Sequence, residues 1–265
     1  MKTDLVLAPF GATAGELLSA ARAADAGGFD TVWTYDHFSG LVQGAPWSRD
    51  PFVMLAAIAT TTERVNVGVL VANVANRHPA QLACAVNSLQ SVAPGRVLLG
   101  VGAGTAATSE WSTEAEAIGR PVPPATTRRA LLAETIDALR ALWSGEAYVG
   151  EHVRAAAAMA VTDGAPIPPI IVGAASRSTI RIGCDLADGV NLLPEGDLAE
   201  RVAFARDHAI RDRFEVSAFL ALDVDHPLGG EPDALAAIGV ERRTLFVRAP
   251  YPVGAISALA ANLTE

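Results

Sequence analysis

Hydrophobic positions along the chain fall into two alternating kinds of segment. Short runs rich in β-branched and aromatic residues give way to longer Ala/Leu/Arg stretches whose apolar residues recur at helical spacing. The runs Asp4–Pro9, Thr31–Tyr35, Val65–Val71, Arg96–Val101, Pro169–Gly173, Gly189–Leu193, Phe214–Asp223 and Arg243–Val247 read as strands. The stretches Ala14–Ala26, Pro51–Thr61, Pro79–Val92, Thr127–Trp143, Arg177–Leu186, Asp197–Asp212, Pro232–Ile238 and Val253–Asn262 read as helices. End signals agree with the periodicity. Thr13 with Glu16 forms a capping box, Asp50-Pro51 and His78-Pro79 set proline at a first helical position, and Gly27-Gly28 stops the first helix. Eight βα pairs in 265 residues predict a (β/α)8 TIM barrel, a single domain over residues 1–265, with an open doubly wound sheet as the alternative architecture. The irregular segments Gly104–Ala125 and Ala147–Pro168 read as entrance walls or lids.

Composition narrows the class. An apolar share of 51% with 18% charged residues provides a core, and 29 acidic against 20 basic side chains leave a net charge of −9. That balance excludes a general nucleic-acid surface, so an anionic ligand needs a local site. Cys84 and Cys184, far apart, fit a reducing compartment better than a disulfide framework. The opening Met1-Lys2-Thr3-Asp4 lacks the pattern of a signal peptide, and no stretch reaches the ~18 uninterrupted apolar residues of a membrane span. The expectation is a cytoplasmic protein with a small-molecule substrate, no nucleic acid and no membrane partner.

In a barrel of this kind the chemistry sits at the C-terminal ends of the strands. After the second strand, Tyr35-Asp36-His37-Phe38 sets an acid beside an imidazole, the side chain best suited to exchange protons near neutral pH. A loop cap at Asp36 and a surface histidine is the plainer reading of the same pair. After the third strand Asn73 offers an amide, whereas His78, directly before Pro79, reads as a helix-entry residue. The fourth strand ends in Gly100-Val101-Gly102-Ala103-Gly104-Thr105, whose glycines let backbone approach a flat ring or a phosphate. It is not the dinucleotide fingerprint, because the third glycine of G-x-G-x-x-G falls at Thr105. After the fifth strand, Val172-Gly173-Ala174-Ala175-Ser176-Arg177 opens a helix and reads equally as a phosphate cradle or as an ordinary turn capped by Ser176. The histidines show no metal-ligand spacing, so no metal site is predicted.

Taken in order, Asp36-His37-Phe38, Asn73 to Ala80, Gly95-Arg96 through Gly104, Pro169 to Ser176 and Ala187-Asp188-Gly189 resemble the luciferase-like monooxygenase superfamily. More narrowly, they are similar to its actinobacterial branch of oxidoreductases that use the deazaflavin coenzyme F420. The resemblance covers about the first 195 residues well and the rest loosely. It implies a luciferase-like barrel with a deazaflavin at the strand C-termini and hydride transfer at its C5, with FMN and a monooxygenase reaction as the alternative. A cofactor-binding barrel without turnover is the alternative from another class. By the same resemblance Asp36 and His37 lie at the ring, with His37 as the proton-transfer residue, and a non-prolyl cis peptide at Val69-Leu70 backs it. Asn73, Ala103 and Gly104 flank the ring, Gly173, Ala174, Ala175 and Ser176 meet the phosphate, and the chain forms a homodimer. Two positions depart from the pattern: Thr105 stands where many relatives have an aromatic residue, and Gly173-Ala174 where many have Gly-Gly. The stretch between Asp223 and Val240 reads as a shortened insertion.

Overall fold

Each apolar run becomes a strand, and each amphipathic stretch carries the chain back along the outside, so that consecutive strands lie side by side and parallel. The computed structural model describes residues 1–158, 162–193, 196–221 and 232–263. In chain order its strands are β1 (Lys2–Leu7), β2 (Thr31–Thr34), β3 (Asn66–Asn73), β4 (Val97–Gly102), a short antiparallel pair β5 (Tyr148–Val149) and β6 (Arg154–Ala155), then β7 (Ile170–Ala174), β8 (Gly189–Leu192), β9 (Glu215–Ala221) and β10 (Arg242–Val247). The helices are α1 (Ala14–Ala26), α2 (Pro51–Thr61), α3 (Pro79–Val92), α4 (Thr113–Ala117), α5 (Ala125–Trp143), α6 (Arg177–Leu186), α7 (Leu198–His208), α8 (Pro232–Ala237) and α9 (Val253–Leu263). Around the closed barrel the order is β1, β2, β3, β4, β7, β8, β9, β10, and β10 pairs back onto β1 with Lys2 opposite Arg242 and Leu7 opposite Val247. The parallel barrel expected from the sequence is therefore the fold, and the open sheet is not.

The caps form as their residues dictate. Glu16 N–H donates to Thr13 Oγ1 while Thr13 N–H donates to Glu16, and Asp50 accepts from the N–H groups of Phe52 and Val53 at the start of α2. His78 caps α3, its Nδ1 accepting from Ala80 N–H. The core has two compartments. Between strands and helices, Leu5, Leu7, Leu55, Ile58, Leu82, Leu99, Ile136 and Leu139 pack as one continuous layer. Inside the barrel, Val6, Trp33, Leu70 and Ile171 fill the lumen. Trp33 needs room there, and Gly68 supplies it: a Cβ at that position would sit 2.5 Å from the indole ring. The indole Nε1–H donates to the buried Asp4 at 2.7 Å, so the ring's polar atom is satisfied.

Two features differ from the sequence expectations. The non-prolyl cis peptide lies at Leu70-Val71, one residue later than Val69-Leu70. Between Val69 and Ala72 the pairing of β3 with β4 also shifts, three steps on β3 matching two on β4, from Leu99 to Val101. That extra residue is a β-bulge. The second difference is that the two irregular segments are partly ordered into α4 and the β5–β6 pair, elements of a few residues that leave no periodic trace. Of the stretch read as a shortened insertion, residues 222–231 lie outside the described residues. No described helix is long and apolar enough to cross a membrane.

Candidate active site

The C-terminal ends of the strands surround a cavity of about 550 Å³, within the ordinary size range of small-molecule sites. Tyr35, Asp36 and His37 come from the turn after β2, Asn73 from the end of β3, Gly102, Ala103 and Gly104 from the end of β4, and Gly173, Ala175 and Ser176 from the end of β7. Leu70, Val71, Leu193 and Phe219 form its apolar wall. Of the sequence-nominated residues, Asp36, His37, Leu70, Asn73, Ala103, Gly104, Gly173, Ala175 and Ser176 meet here.

Val69 and Ala174 do not. They are 1% and 0% exposed and pack in the layer between barrel and helices. Strand alternation is the reason, since Gly173 and Ala175 face the cavity and the residue between them faces away.

The glycines of β4 and β7 answer a local need. A Cβ at Gly102 or Gly173 would run into the methyl groups of Val71, at 2.7 Å from Cγ1 in the case of Gly173. They make room for the bulge, whose side chain occupies the space between the two strand ends. Gly104 has φ of +72°, a conformation that favours glycine, and a Cβ there would meet Asn73 Oδ1 at 2.7 Å.

Asp36 and His37 are neighbours in sequence with different duties. Asp36 is 6% exposed and takes two hydrogen bonds from Arg77, Nε to Oδ2 at 2.8 Å and Nη2 to Oδ1 at 2.7 Å, and a third from Asn73 N–H at 3.0 Å. Burial alone would pull the Arg77 guanidinium down, but the hydrogen bonds and charges of Asp36 and Asp50 hold it above its ordinary value. A carboxylate with both oxygens engaged is an anchor for the rim. His37 instead presents its ring, with Trp111 beside it at 4.2 Å between centroids and Phe10 at 5.6 Å. Its Nδ1 lies 2.9 Å from Glu114 Oε2. Glu114 Oε1 accepts from the N–H groups of Phe38 and Ser39, both at 3.0 Å. Ser48 Oγ donates to the His37 carbonyl at 2.7 Å. Ring and backbone of His37 are thus both fixed from the protein side. Tyr35, with burial pushing its phenol above the ordinary range, stays a neutral wall residue stacked on Phe246 at 5.6 Å.

The cavity lining is also cationic. Arg128 and Arg129 belong to it together with Ser176 and Thr179. Both arginines sit near the N-terminus of α5, where the helix dipole disfavours positive charge, and the first turn of α5 carries no acidic residue. Arg128 Nη1 donates to the Gly104 carbonyl at 3.0 Å, while its Nε is buried without an acceptor. Burial, and then the charge of Arg129, bring the Arg128 guanidinium below its ordinary value. Ser176 serves as the cap of α6 in a reciprocal pair with Thr179, their side chains each accepting the other's backbone N–H at 3.3 and 3.1 Å.

Sequence reasoning missed Trp111, Glu114, Arg128 and Arg129. Trp111 and Glu114 are three residues apart, which puts them on one face only if the segment is helical, and the surrounding Gly- and Pro-rich chain obscures that. The arginines carried a usable signal, two adjacent cations opening a helix without a balancing acid.

A family model described as luciferase-like monooxygenase matches residues 4–225. An F420-dependent glucose-6-phosphate dehydrogenase of Nakamurella multipartita is 33% identical over 183 residues, 66% of this chain and 50% of that protein. The chain thus spans about half the length of that relative. An uncharacterised protein of Mycobacterium tuberculosis is 32% identical over 240 residues, covering 82% of this chain and 81% of its own. Among solved structures, an F420-dependent secondary alcohol dehydrogenase in complex with an F420-acetone adduct superposes with a TM-score of 0.76 at 16% identity, over 98% of each chain. At that identity the likeness concerns the fold.

Proposed function

The chain belongs to the luciferase-like monooxygenase family, and from that premise we propose that it is an F420-dependent oxidoreductase transferring hydride between the deazaflavin and a small organic substrate. The observation that carries the reading is the make-up of the cavity lining: a fixed imidazole, an apolar bulge in the wall, and two arginines. This donor set fits a flat ring with an anionic tail. The orphaned Nε of Arg128 lacks an acceptor that a phosphate or carboxylate would provide. The names of relatives such as the dehydrogenase of Nakamurella multipartita support the deazaflavin over FMN.

When bound, the deazaflavin supplies two-electron hydride chemistry at C5. The protein's part is orientation, water exclusion and a proton. Leu70 and Val71 at the bulge would give the ring an apolar face, Asn73, Ala103 and Gly104 would border it, and Arg128 and Arg129 with Gly173, Ala175 and Ser176 would hold the anionic tail. His37 exchanges the substrate's proton, taking it as hydride leaves the substrate carbon and returning it in the reverse direction. Asp36 acts through Arg77 and the Asn73 backbone, holding the rim in place, and is a positioning residue.

Titration of the cofactor-free protein with F420 and separately with FMN, followed by the fluorescence and absorbance of each chromophore, tests the proposal. Saturable binding of F420 with little for FMN is the expected result. Preference for FMN moves the protein to flavin chemistry, and binding of neither overturns the reading. In protein that turns over, hydride transfer left intact by His37→Ala would remove the proton-transfer assignment.

A further inference from the structure

We infer that Glu114, from the insertion after β4, is a positioning residue that fixes the tautomer of His37 and so makes Nε2 the atom that exchanges the proton. The role rests on the proton-transfer reading of His37, but the tautomer itself does not. The carboxylate is 2% exposed at its side chain and lies 2.9 Å from His37 Nδ1. Its other oxygen is occupied by the Phe38 and Ser39 N–H groups, so it cannot swing away without stranding two backbone donors. A carboxylate accepts hydrogen bonds and donates none, so the neutral imidazole must carry its proton on Nδ1. Nε2 has no hydrogen-bond partner among the described residues, and its lone pair is left for the cavity. Trp111, one turn before Glu114, closes the geometry by packing on the ring at 4.2 Å between centroids.

One short segment therefore delivers both the acceptor that selects the tautomer and the surface that sets the ring plane. The logic is that of a carboxylate orienting a catalytic histidine, where loss of the orienting group leaves the wrong nitrogen protonated. For a substrate whose reacting carbon bears a hydroxyl, the neutral ring takes the proton in one step: the O–H bond breaks with its electron pair left on oxygen, an Nε2–H bond forms from the Nε2 lone pair, and the Nδ1–H bond to Glu114 stays intact.

Imidazole 15N chemical shifts of His37 in cofactor-free protein test this directly, because protonated and bare ring nitrogens differ in shift. The expected wild-type spectrum of the neutral ring has Nδ1 protonated and Nε2 bare. In Glu114→Gln and Glu114→Ala the population moves toward the Nε2–H form that solvated imidazole prefers. A wild-type ring already in the Nε2–H form overturns the inference without any variant, as does an unchanged tautomer in variants that remain folded. With F420 and a turned-over substrate, Glu114→Gln is expected to lower kcat by about 100-fold or more while cofactor affinity changes little. Wild-type protein that shows the Nδ1–H tautomer but no hydride transfer would count against the proposed function and leave the tautomer assignment standing.

Discussion

Arg77 and Asp36 meet through two parallel hydrogen bonds of 2.8 and 2.7 Å, and the same guanidinium reaches Asp50 at 3.0 Å. Asp36 follows β2, Asp50 caps α2 and Arg77 precedes α3, so one side chain ties together two successive βα loops of the barrel rim. Asp50 also begins α2 through the N–H groups of Phe52 and Val53. The ion pair is therefore part of how the turn carrying His37 is held.

Removing Arg77 leaves a buried carboxylate with a single backbone donor. Arg77→Met is expected to cost about 3 kcal/mol of stability, the usual result of breaking a buried pair from one side, measured by urea denaturation at neutral pH. Asp36→Asn, which keeps shape and loses charge, should destabilise in the same direction. A change below about 0.5 kcal/mol in both variants would mean that the pair does not anchor the rim.

Much of this architecture was legible in the sequence because its signals are local. Ala14–Ala26, Pro51–Thr61, Pro79–Val92 and Arg177–Leu186 run between the bounds read from their caps, since a capping side chain or a proline specifies a terminus within a few residues. The turn residues at the strand ends were legible for the same reason: in a parallel barrel they must gather at one rim. What was not legible depends on contacts distant in sequence. Glu114 finds His37 across 77 residues, and no local pattern in a segment with a five-residue helix announces that. The bulge lies one residue from its expected position because its location is set by Gly102 and Gly173 on two neighbouring strands, both of which must accommodate Val71. Ala174 lies outside the cavity lining because a strand offers the cavity only alternate residues, and Val69 because the cis peptide falls one residue later.

At the opposite end of the barrel, Arg242 joins β10 to β1 and β9. It donates to Asp4 Oδ1 at 2.6 Å and to Glu215 Oε1 at 2.6 Å, and Lys2 Nζ adds a second cation to Glu215 at 2.6 Å. Burial alone would raise the Glu215 carboxyl, but the hydrogen bond and charge of Arg242, with those of Lys2, bring it below its ordinary value of 4.5. A carboxyl lowered on folding contributes stability that is present above about pH 4.5 and is lost as pH falls through its folded value. The difference in unfolding free energy between wild type and Glu215→Gln should therefore be largest near neutrality and shrink below pH 4.5. A difference independent of pH across that range would show that the charge of Glu215 does not support the barrel seam.

The two cysteines should separate cleanly by reactivity. Cys84 is exposed on α3, while Cys184 is buried on the face of α6 turned to α7, its thiol donating to the Ala205 carbonyl at 3.4 Å. Burial, and then the charge of Asp185, push the Cys184 thiol up to about 11. Since the thiolate is the reacting form, a disulfide reagent at pH 8 is expected to titrate one thiol per native chain and two after denaturation. Because the thiol is raised on folding, its contribution to stability is full below about pH 9 and declines as pH climbs from there toward 11. Two fast-reacting thiols in native protein would contradict the packing of α6 against α7.

The space shared by Gly173 and Val71 offers the most direct test of how the cavity wall is built. In Gly173→Ala the new methyl would sit 2.7 Å from Val71 Cγ1, closer than carbon atoms approach, and Val71 is β-branched with few rotamers to escape into. Either the bulge at Leu70-Val71 moves into the cavity or β7 moves away from it. Overpacking of this kind costs about 1–3 kcal/mol, and the displaced wall should weaken cofactor binding about tenfold. Val71→Ala in the same background removes the opposing methyls, so the double variant is expected to recover most of the stability that Gly173→Ala loses. Additive losses in the double variant, read by thermal denaturation alongside cofactor titration, would mean that the glycine answers some need other than room for Val71.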